Sequence, residues 1–336
     1  NPDKKPDGAA SDAILAKLAN ETWGDDGAWV TDGGGGTAWD SIVYDTVNDQ
    51  ILIGVGNGSP WNPDLRDPNS DGDNLFLSSI LAVDADTGAY RWHYQTAPGE
   101  TWDYNSNMDI VLADLEIAGR AVKAILHAPK NGFFYVIDRV KGELVSAEKF
   151  ADVNWASHVD LKTGRPVELP GARYQGGRKV ILPSPSGAHS WHAMSYSPLT
   201  GLVYLPTLHW GVEFNDSKFG DDWRNEPFKV GLGVEFAIPD NPRDYEGSLQ
   251  AWDPIAQKAV WEVKQQVGMA AGTLVTAGNV VFQGEATGIF SAYNATNGKK
   301  LWAYDAGLGI SAPPITYALN GKQYVSLLVG FGGGYA

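Results

Sequence analysis

Four short segments place polar or aromatic side chains where packing alone gives little reason for them. Gly33 to Gly36 runs through Thr37 and Ala38 directly into Trp39 and Asp40. Glycine has no side chain, so this tract lets something flat or bulky approach the backbone beside an indole. Gly54-Val-Gly-Asn57-Gly-Ser-Pro-Trp61-Asn62 offers an amide oxygen, and Thr101-Trp-Asp103-Tyr-Asn105 offers a carboxylate, each at a strand end or loop. His127-Ala-Pro-Lys130-Asn-Gly adds a cation just before a strand. Taken singly, each has a plain structural reading: Trp39 as core, Asn57 as a turn residue, Asp103 as a surface cap, Lys130 as a solvated side chain.

Other chemistries fall away. The six histidines show no H-E-x-x-H spacing, and only His189 and His192 lie close together, so turn or surface roles are expected for them. Asp67-Pro-Asn69-Ser-Asp71-Gly72 matches the first half of a calcium loop, but Ser78 stands where the bidentate Glu is required. An acidic surface loop is expected there. Gly54-Val-Gly56-Asn57-Gly58 follows a strand, yet Pro60 and Trp61 replace the helix that must receive a pyrophosphate. No G-x-S-x-G elbow exists. With no cysteine, the chain has no disulfide scaffold, Cys nucleophile or iron–sulfur cluster. Its 25 basic and 40 acidic residues leave a net charge of −15, which argues against nucleic acid as a partner. No stretch is apolar enough for a membrane span.

The elements that must position these residues are strands. After a polar segment, 1–22, with one short helix from about Ser11 to Leu18 capped by Ser11 or Asp12, helical periodicity disappears. The remainder, 23–336, consists of short β-branched and aromatic runs broken by Gly, Asn, Asp and Pro, such as Gln50–Gly54, Gly132–Ile137 and Leu202–Leu205. That pattern is all-β. An internal repeat narrows it. Asp84-Ala-Asp-Thr-Gly88 leads to Trp92, and Asn294-Ala-Thr-Asn-Gly298 to Trp302, at the same spacing. Asp253 to Trp261 keeps the spacing with Gln257 for Gly, and Asp138 to Gly142 keeps the first half, with Ser146 in the Trp position. Each reads as a tight turn between two strands, its Trp packing between neighbouring sheets. The step from 253 to 294 is the size of one four-stranded propeller blade. A β-propeller of four-stranded blades with about five recognisable blades is expected, Trp92, Trp261 and Trp302 packing between them.

As a linked series, these segments resemble the quinoprotein and quinohaemoprotein alcohol dehydrogenases, which use pyrroloquinoline quinone (PQQ). Further matches are Gly72-Asp-Asn-Leu-Phe76, Ala128-Pro-Lys-Asn-Gly132, Asn154-Trp-Ala-Ser-His158, Trp191-His-Ala-Met-Ser-Tyr-Ser197 and Gly278-Asn-Val-Val-Phe-Gln-Gly284. The resemblance implies an eight-bladed propeller, of which this chain covers the middle-to-late blades, with PQQ on its axis. It implies Trp39 as the floor beneath the quinone, Thr37 bonding a PQQ carboxylate, Asn57 and Asp103 as calcium ligands, Asp103 as catalytic base and Lys130 bonding the quinone oxygens. It also implies alcohol oxidation, a cytochrome c acceptor, haem c only with a separate cytochrome domain or partner, and a periplasmic location. Lanthanide-using relatives carry an Asp two residues after the base; Asn105 points to calcium.

The chain departs from the family pattern in places. His209 falls where an Asn often contacts PQQ, and Gly268-Met-Ala-Ala-Gly272 where Pro-Trp-Asn-Gly-Gly usually stands. The family's adjacent cysteines are absent. Asn1 opens the chain without Met or a signal profile, so a removed leader or a piece of a longer protein is expected. An unclosed array would associate with a complementary chain, oligomerise or close as a smaller ring. A second reading is a propeller without the quinone that serves as a binding scaffold, similar to outer-membrane-assembly propeller lipoproteins.

Overall fold

The computed structural model describes residues 8–68, 71–174, 176–215, 222–226, 228–235 and 243–330. The chain forms two compact units: residues 1–187 with 211–239, and residues 188–210 with 240–336. In the first unit, strands Ile42–Asp45, Gln50–Gly54, Ser79–Asp84 and Tyr90–Gln95 make one antiparallel sheet in sequence order. Val111–Ile117, Arg120–His127, Phe133–Asp138 and Glu143–Lys149 make a second. A third group is split into the pair Ala156–Val159 and Pro166–Glu168 and the trio Arg178–Ile181, Val212–Asn215 and Gly233–Glu235. The second unit holds two further four-stranded sheets. One comprises Ser195–Ser197, Leu202–Leu208, Gly247–Asp253 and Lys258–Gln265; the other comprises Thr273–Val275, Val280–Gly284, Ile289–Asn294 and Lys300–Asp305. A hairpin, Ile315–Leu319 with Lys322–Ser326, comes last. Among the described residues these are blade-type sheets, four complete and a fifth divided. The apolar runs fall where expected: Phe133–Asp138 and Leu202–Leu208 are almost wholly buried inner strands, suited to β-branched and aromatic residues.

The repeat is physically the same object each time. In the turns opened by Asp84, Asp138 and Asn294, the glycine N–H donates to the carbonyl four residues back, at 2.8–2.9 Å. Two turns with no Trp eight residues on do likewise, Asp160 to Gly164 at 2.7 Å and Ser197 to Gly201 at 2.8 Å. Gln257 adopts the glycine's left-handed backbone, φ +52. In all four complete sheets the ladder between the last two strands shifts by one residue shortly before the turn, at 82/83, 136/137, 251/252 and 292/293. Such a bulge adds local twist to the outer strand. Two of the turn glycines lie on the preceding sheet's indole: a Cβ on Gly142 would stand 2.5 Å from Trp92, and one on Gly298 2.7 Å from Trp261. Arg139 adds a polar rivet between the first two sheets, bonding Asp45 at 3.1 Å and Asp114 at 3.0 Å.

Several expectations need correction. Trp302, expected to pack between blades, is 49% exposed and stacks beside Tyr304, and no turn glycine among the described residues lies on it. The first helix runs Asp12–Thr22, and Ser11 does not cap it: its hydroxyl donates to Gly88 O and accepts from Tyr90 N. Two short helices, Ala28–Asp32 and Pro63–Arg66, went unforeseen; the second is capped by Asn62, whose Oδ1 accepts from Asp64 N. His127, His189, His192 and His209 are buried rather than at the surface. Asp67 is buried too, accepting from Gly24 N and Asn74 Nδ2, so the acidic loop is not wholly a surface one. Asn69 and Ser70 of the expected acidic loop, residues 216–221, 227 and 236–242, and the tail beyond 330 lie outside the described residues. Among the described residues no helix is long and apolar enough to cross a membrane.

Candidate active site

The glycine tract and the loop after strand Gln50–Gly54 form an irregular antiparallel pair. Gly36 N donates to Asn57 O at 2.9 Å, Gly56 N to Thr37 O at 3.1 Å and Ser59 N to Gly34 O at 3.0 Å. A Cβ on Gly35 would collide with Asn57 O, and one on Gly56 would stand 2.8 Å from Asn105 Oδ1 and 2.9 Å from Thr37 O. Residue type alone suggests a bulky visitor in this space. At these two positions it is filled by the neighbouring loop itself. Thr37 and Trp39 follow the tract with exposed side chains, the Trp39 indole at 44%. The large uncovered ring is nonetheless held, because its Nε1 donates to Asn105 Oδ1 at 3.1 Å.

In the sequence Asn105 reads only as a metal discriminator; in the fold it is a hub. It is 2% exposed. Its Oδ1 accepts from Trp39 Nε1 and, at 3.0 Å, from Asn57 N. Its Nδ2 donates to Asp103 Oδ1 at 2.9 Å and to Asp103 O at 3.0 Å. One amide thus ties three of the expected site residues together. The T-W-D-x-N spacing was the available signal, since an Asn side chain readily bonds the backbone two residues away.

Asp103 has a left-handed backbone, φ +64, which is uncommon for a residue with a side chain. Its Oδ2 accepts from Lys130 Nζ at 2.8 Å, and both side chains are largely withdrawn from solvent. Burial raises the Asp103 pKa to about 6, against the pull of the Lys130 charge and hydrogen bond; Glu100 pushes it up further and Asn105 draws it down. A buried carboxylate titrating close to neutrality suits a group that must take up and release a proton. The plain readings of Asp103 as a surface cap and of Lys130 as solvated therefore fail.

His209 belongs to the second unit. It is buried, with Nε2 3.3 Å from Ser248 Oγ and 3.8 Å from Glu262 Oε1, and it meets the Tyr245 ring edge to face. Its role as a cofactor contact is a proposal.

A family profile, the β-propeller domain of the PQQ-linked glucose/ethanol/alcohol dehydrogenases, matches residues 14–153 and 245–325. The chain belongs to this PQQ dehydrogenase family. A quinohaemoprotein alcohol dehydrogenase of Pseudomonas putida, ADH IIB, is 50% identical over 316 residues, covering 94% of this chain and 45% of that one. The quinohaemoprotein alcohol dehydrogenase of Comamonas testosteroni is 48% identical over 326 residues, covering 95% and 46%. The crystal structure of the Comamonas enzyme superposes with a TM-score of 0.90 at 45% identity, over 98% of this chain and 49% of that one. The chain spans about half the length of the curated relatives it matches. The match confirms the β-propeller fold class and the PQQ dehydrogenase resemblance.

The fit of the family's groups to this site is unequal. An exposed indole anchored by its N–H suits the face of a flat, conjugated cofactor. For calcium, Asn57 Nδ2 is committed to Gly58 O at 2.8 Å, leaving Oδ1 as the ligating atom, and Asp103 adds carboxylate oxygen. Calcium takes about six to eight oxygen ligands, and among the described residues no group of three or more His, Cys, Asp or Glu side chains could hold a metal ion. Asn57 and Asp103 alone fall short of that coordination.

Proposed function

We propose that this chain is the cofactor-holding portion of a PQQ-dependent alcohol dehydrogenase that oxidises alcohols to aldehydes or ketones. The observation that carries the reading is the buried Asp103–Lys130 pair, 2.8 Å apart, wired through Asn105 to the exposed Trp39 indole. When bound, PQQ supplies a two-electron acceptor for the hydride leaving the alcohol carbon. Trp39 offers its flat face, Thr37 a hydroxyl for a cofactor carboxylate, and Lys130 a cation for negative charge on the cofactor oxygens. His209 is a further cofactor contact. Asp103 takes the alcohol's hydroxyl proton on a carboxylate oxygen, while Asn105 holds that carboxylate in orientation. Asn57 and Asp103 would supply two oxygens to a calcium ion. A cytochrome c, as acceptor, and a periplasmic location complete the reading, with haem c belonging to a separate domain or partner.

The test is a titration of the protein with PQQ and calcium, followed by quenching of tryptophan fluorescence and by dye-linked alcohol turnover. Saturable quenching at micromolar PQQ, lost in Trp39→Ala, is expected. No quinone binding at that concentration would sink the reading in favour of the scaffold alternative.

A further inference from the structure

Glu100 stands three residues before Asp103 and is completely buried. An unpaired carboxylate there would be costly, since burying a charge demands hydrogen bonds that replace water. Its partners are all backbone. Oε1 accepts from Trp102 N at 2.6 Å and from Tyr104 N at 2.8 Å, the two amides that flank Asp103. Oε2 accepts from Gly58 N at 3.0 Å, the amide that follows Asn57. Two N–H groups two residues apart, converging on one anionic oxygen around a left-handed residue, form a backbone anion nest. The φ of +64 at Asp103 is what aims both amides at the same oxygen. Such a backbone is strained and persists only where its surroundings over-determine it. Glu100 is the over-determining group.

Behind it lies a second buried charge. Arg66 is fully buried, and Nη2 donates to the Glu100 carbonyl at 2.6 Å and to Asn74 Oδ1 at 3.0 Å. Nε reaches the same Asn74 oxygen at 3.2 Å, and Nη1 donates to Pro60 O at 2.7 Å and Trp61 O at 3.0 Å. A side chain on Gly58 would run into this guanidinium, so the glycine lets Arg66 reach the strand-end loop. Arg66 and Glu100 together hold the segment carrying Asn57 against the segment carrying Asp103.

We propose that Glu100 is a positioning residue for Asp103: its carboxylate, backed by Arg66, clamps the 57–58 backbone to the 102–104 backbone and sets where the Asp103 carboxylate stands. The proposal rests on the enzyme reading for its catalytic consequence, but the clamp itself does not. Charge-assisted bonds to a carboxylate are shorter and stronger than neutral ones. A shift of about 1 Å in a reacting group costs roughly a hundredfold in rate. A base acting only in the transition state changes kcat rather than KM when it is displaced.

The test uses Glu100→Gln, which keeps the shape but replaces one acceptor oxygen with an NH2 group. Amide spectra of the isotope-labelled protein without cofactor should show the Gly58, Trp102 and Tyr104 protons far downfield, with at least the Gly58 signal moving upfield in the variant. In the full protein loaded with PQQ and calcium, kcat should fall about 10- to 100-fold, with KM for the alcohol and PQQ affinity changing less than about threefold. Arg139→Met, which breaks the buried pair between the first two sheets, should lose comparable stability yet keep kcat within about twofold. Unmoved amide signals would overturn the clamp. A kcat within twofold of the parent, or a KM rising in step with the loss of kcat, would overturn the positioning role. If the parent protein shows neither PQQ binding nor turnover, the enzyme reading fails while the amide signals still decide the clamp. Should Glu100→Gln not fold, Arg66→Lys replaces it, since it keeps the charge but lacks the five-donor fork; its expected outcome is the same pattern with a smaller kcat loss.

Discussion

In the first unit Trp92 is 7% exposed against Gly142, whereas in the second unit Trp302 is 49% exposed. Both stand eight residues after the Asp or Asn that opens their turn. The motif therefore supplies only half of a contact; the other half is the glycine of the next turn. A second contrast is electrostatic. Every deeply buried Asp, Glu, Lys and Arg among the described residues lies in the first unit: Asp45, Arg66, Asp67, Glu100, Lys130 and Arg139, with the largely buried Asp103 beside Lys130. The buried polar groups of the second unit are neutral side chains such as Gln265, bonded to Gln283 at 2.8 Å, and the histidines 189, 192 and 209. Buried charge is expensive unless it is satisfied. Its confinement to one unit, around Asn57 and Asp103 and at the joint of the first two sheets, marks where the fold sacrifices stability for precise placement.

The sharpest way to break this contrast is at the base. Asp103→Asn should lower kcat about 10²- to 10⁴-fold, the usual worth of a general base, while PQQ-dependent fluorescence quenching persists; retained turnover would remove Asp103 from its role. Next come the two indoles. Trp92→Ala should cost about 3–5 kcal/mol in urea unfolding, as a buried aromatic does. Trp302→Ala should cost less than about 1 kcal/mol, and equal losses would show that exposure does not separate them.

The second unit has its own pH signature. Burial holds the His192 pKa down to about 4, with His189 adding to the effect. An unfolded His titrates near 6.5, so this contribution is complete above that value and is lost as pH falls from about 6.5 toward 4. Between pH 7.5 and 4.5 the unit should lose about 2–3 kcal/mol, and His192→Gln should flatten that part of the profile. The smallest effect is at the imperfect turn: Gln257→Gly should stabilise by up to about 1 kcal/mol by relieving the left-handed backbone. A loss of stability there would mean that the Gln257 side chain is worth more than the strain it carries.

Much of the fold is legible along the chain because its causes are local. The turn hydrogen bond spans four residues, the strand period is two, and the spacing from Asp to Trp is eight; none depends on distant contacts. The turns at Asp160 and Ser197 lack the Trp at the eighth position that makes the repeat conspicuous, as does the turn at Asp138, which keeps only its Asp and Gly. Asp103 and Lys130 stand out by residue type and by family likeness, but their pairing cannot be seen from order alone.

What joins the site is separated by long stretches of chain: 27 residues between Asp103 and Lys130, 42 between Gly58 and Glu100, and 66 between Trp39 and Asn105. Residue order set which turns, strands and donor types exist. Folding chose which of them meet, turned Asn105 from a metal discriminator into a hub and Glu100 from an unremarked acid into a clamp, and left Trp302 uncovered. The physical reason is that a hydrogen bond or a buried charge is settled by whatever occupies the few ångströms around it, and those neighbours come from elsewhere in the chain.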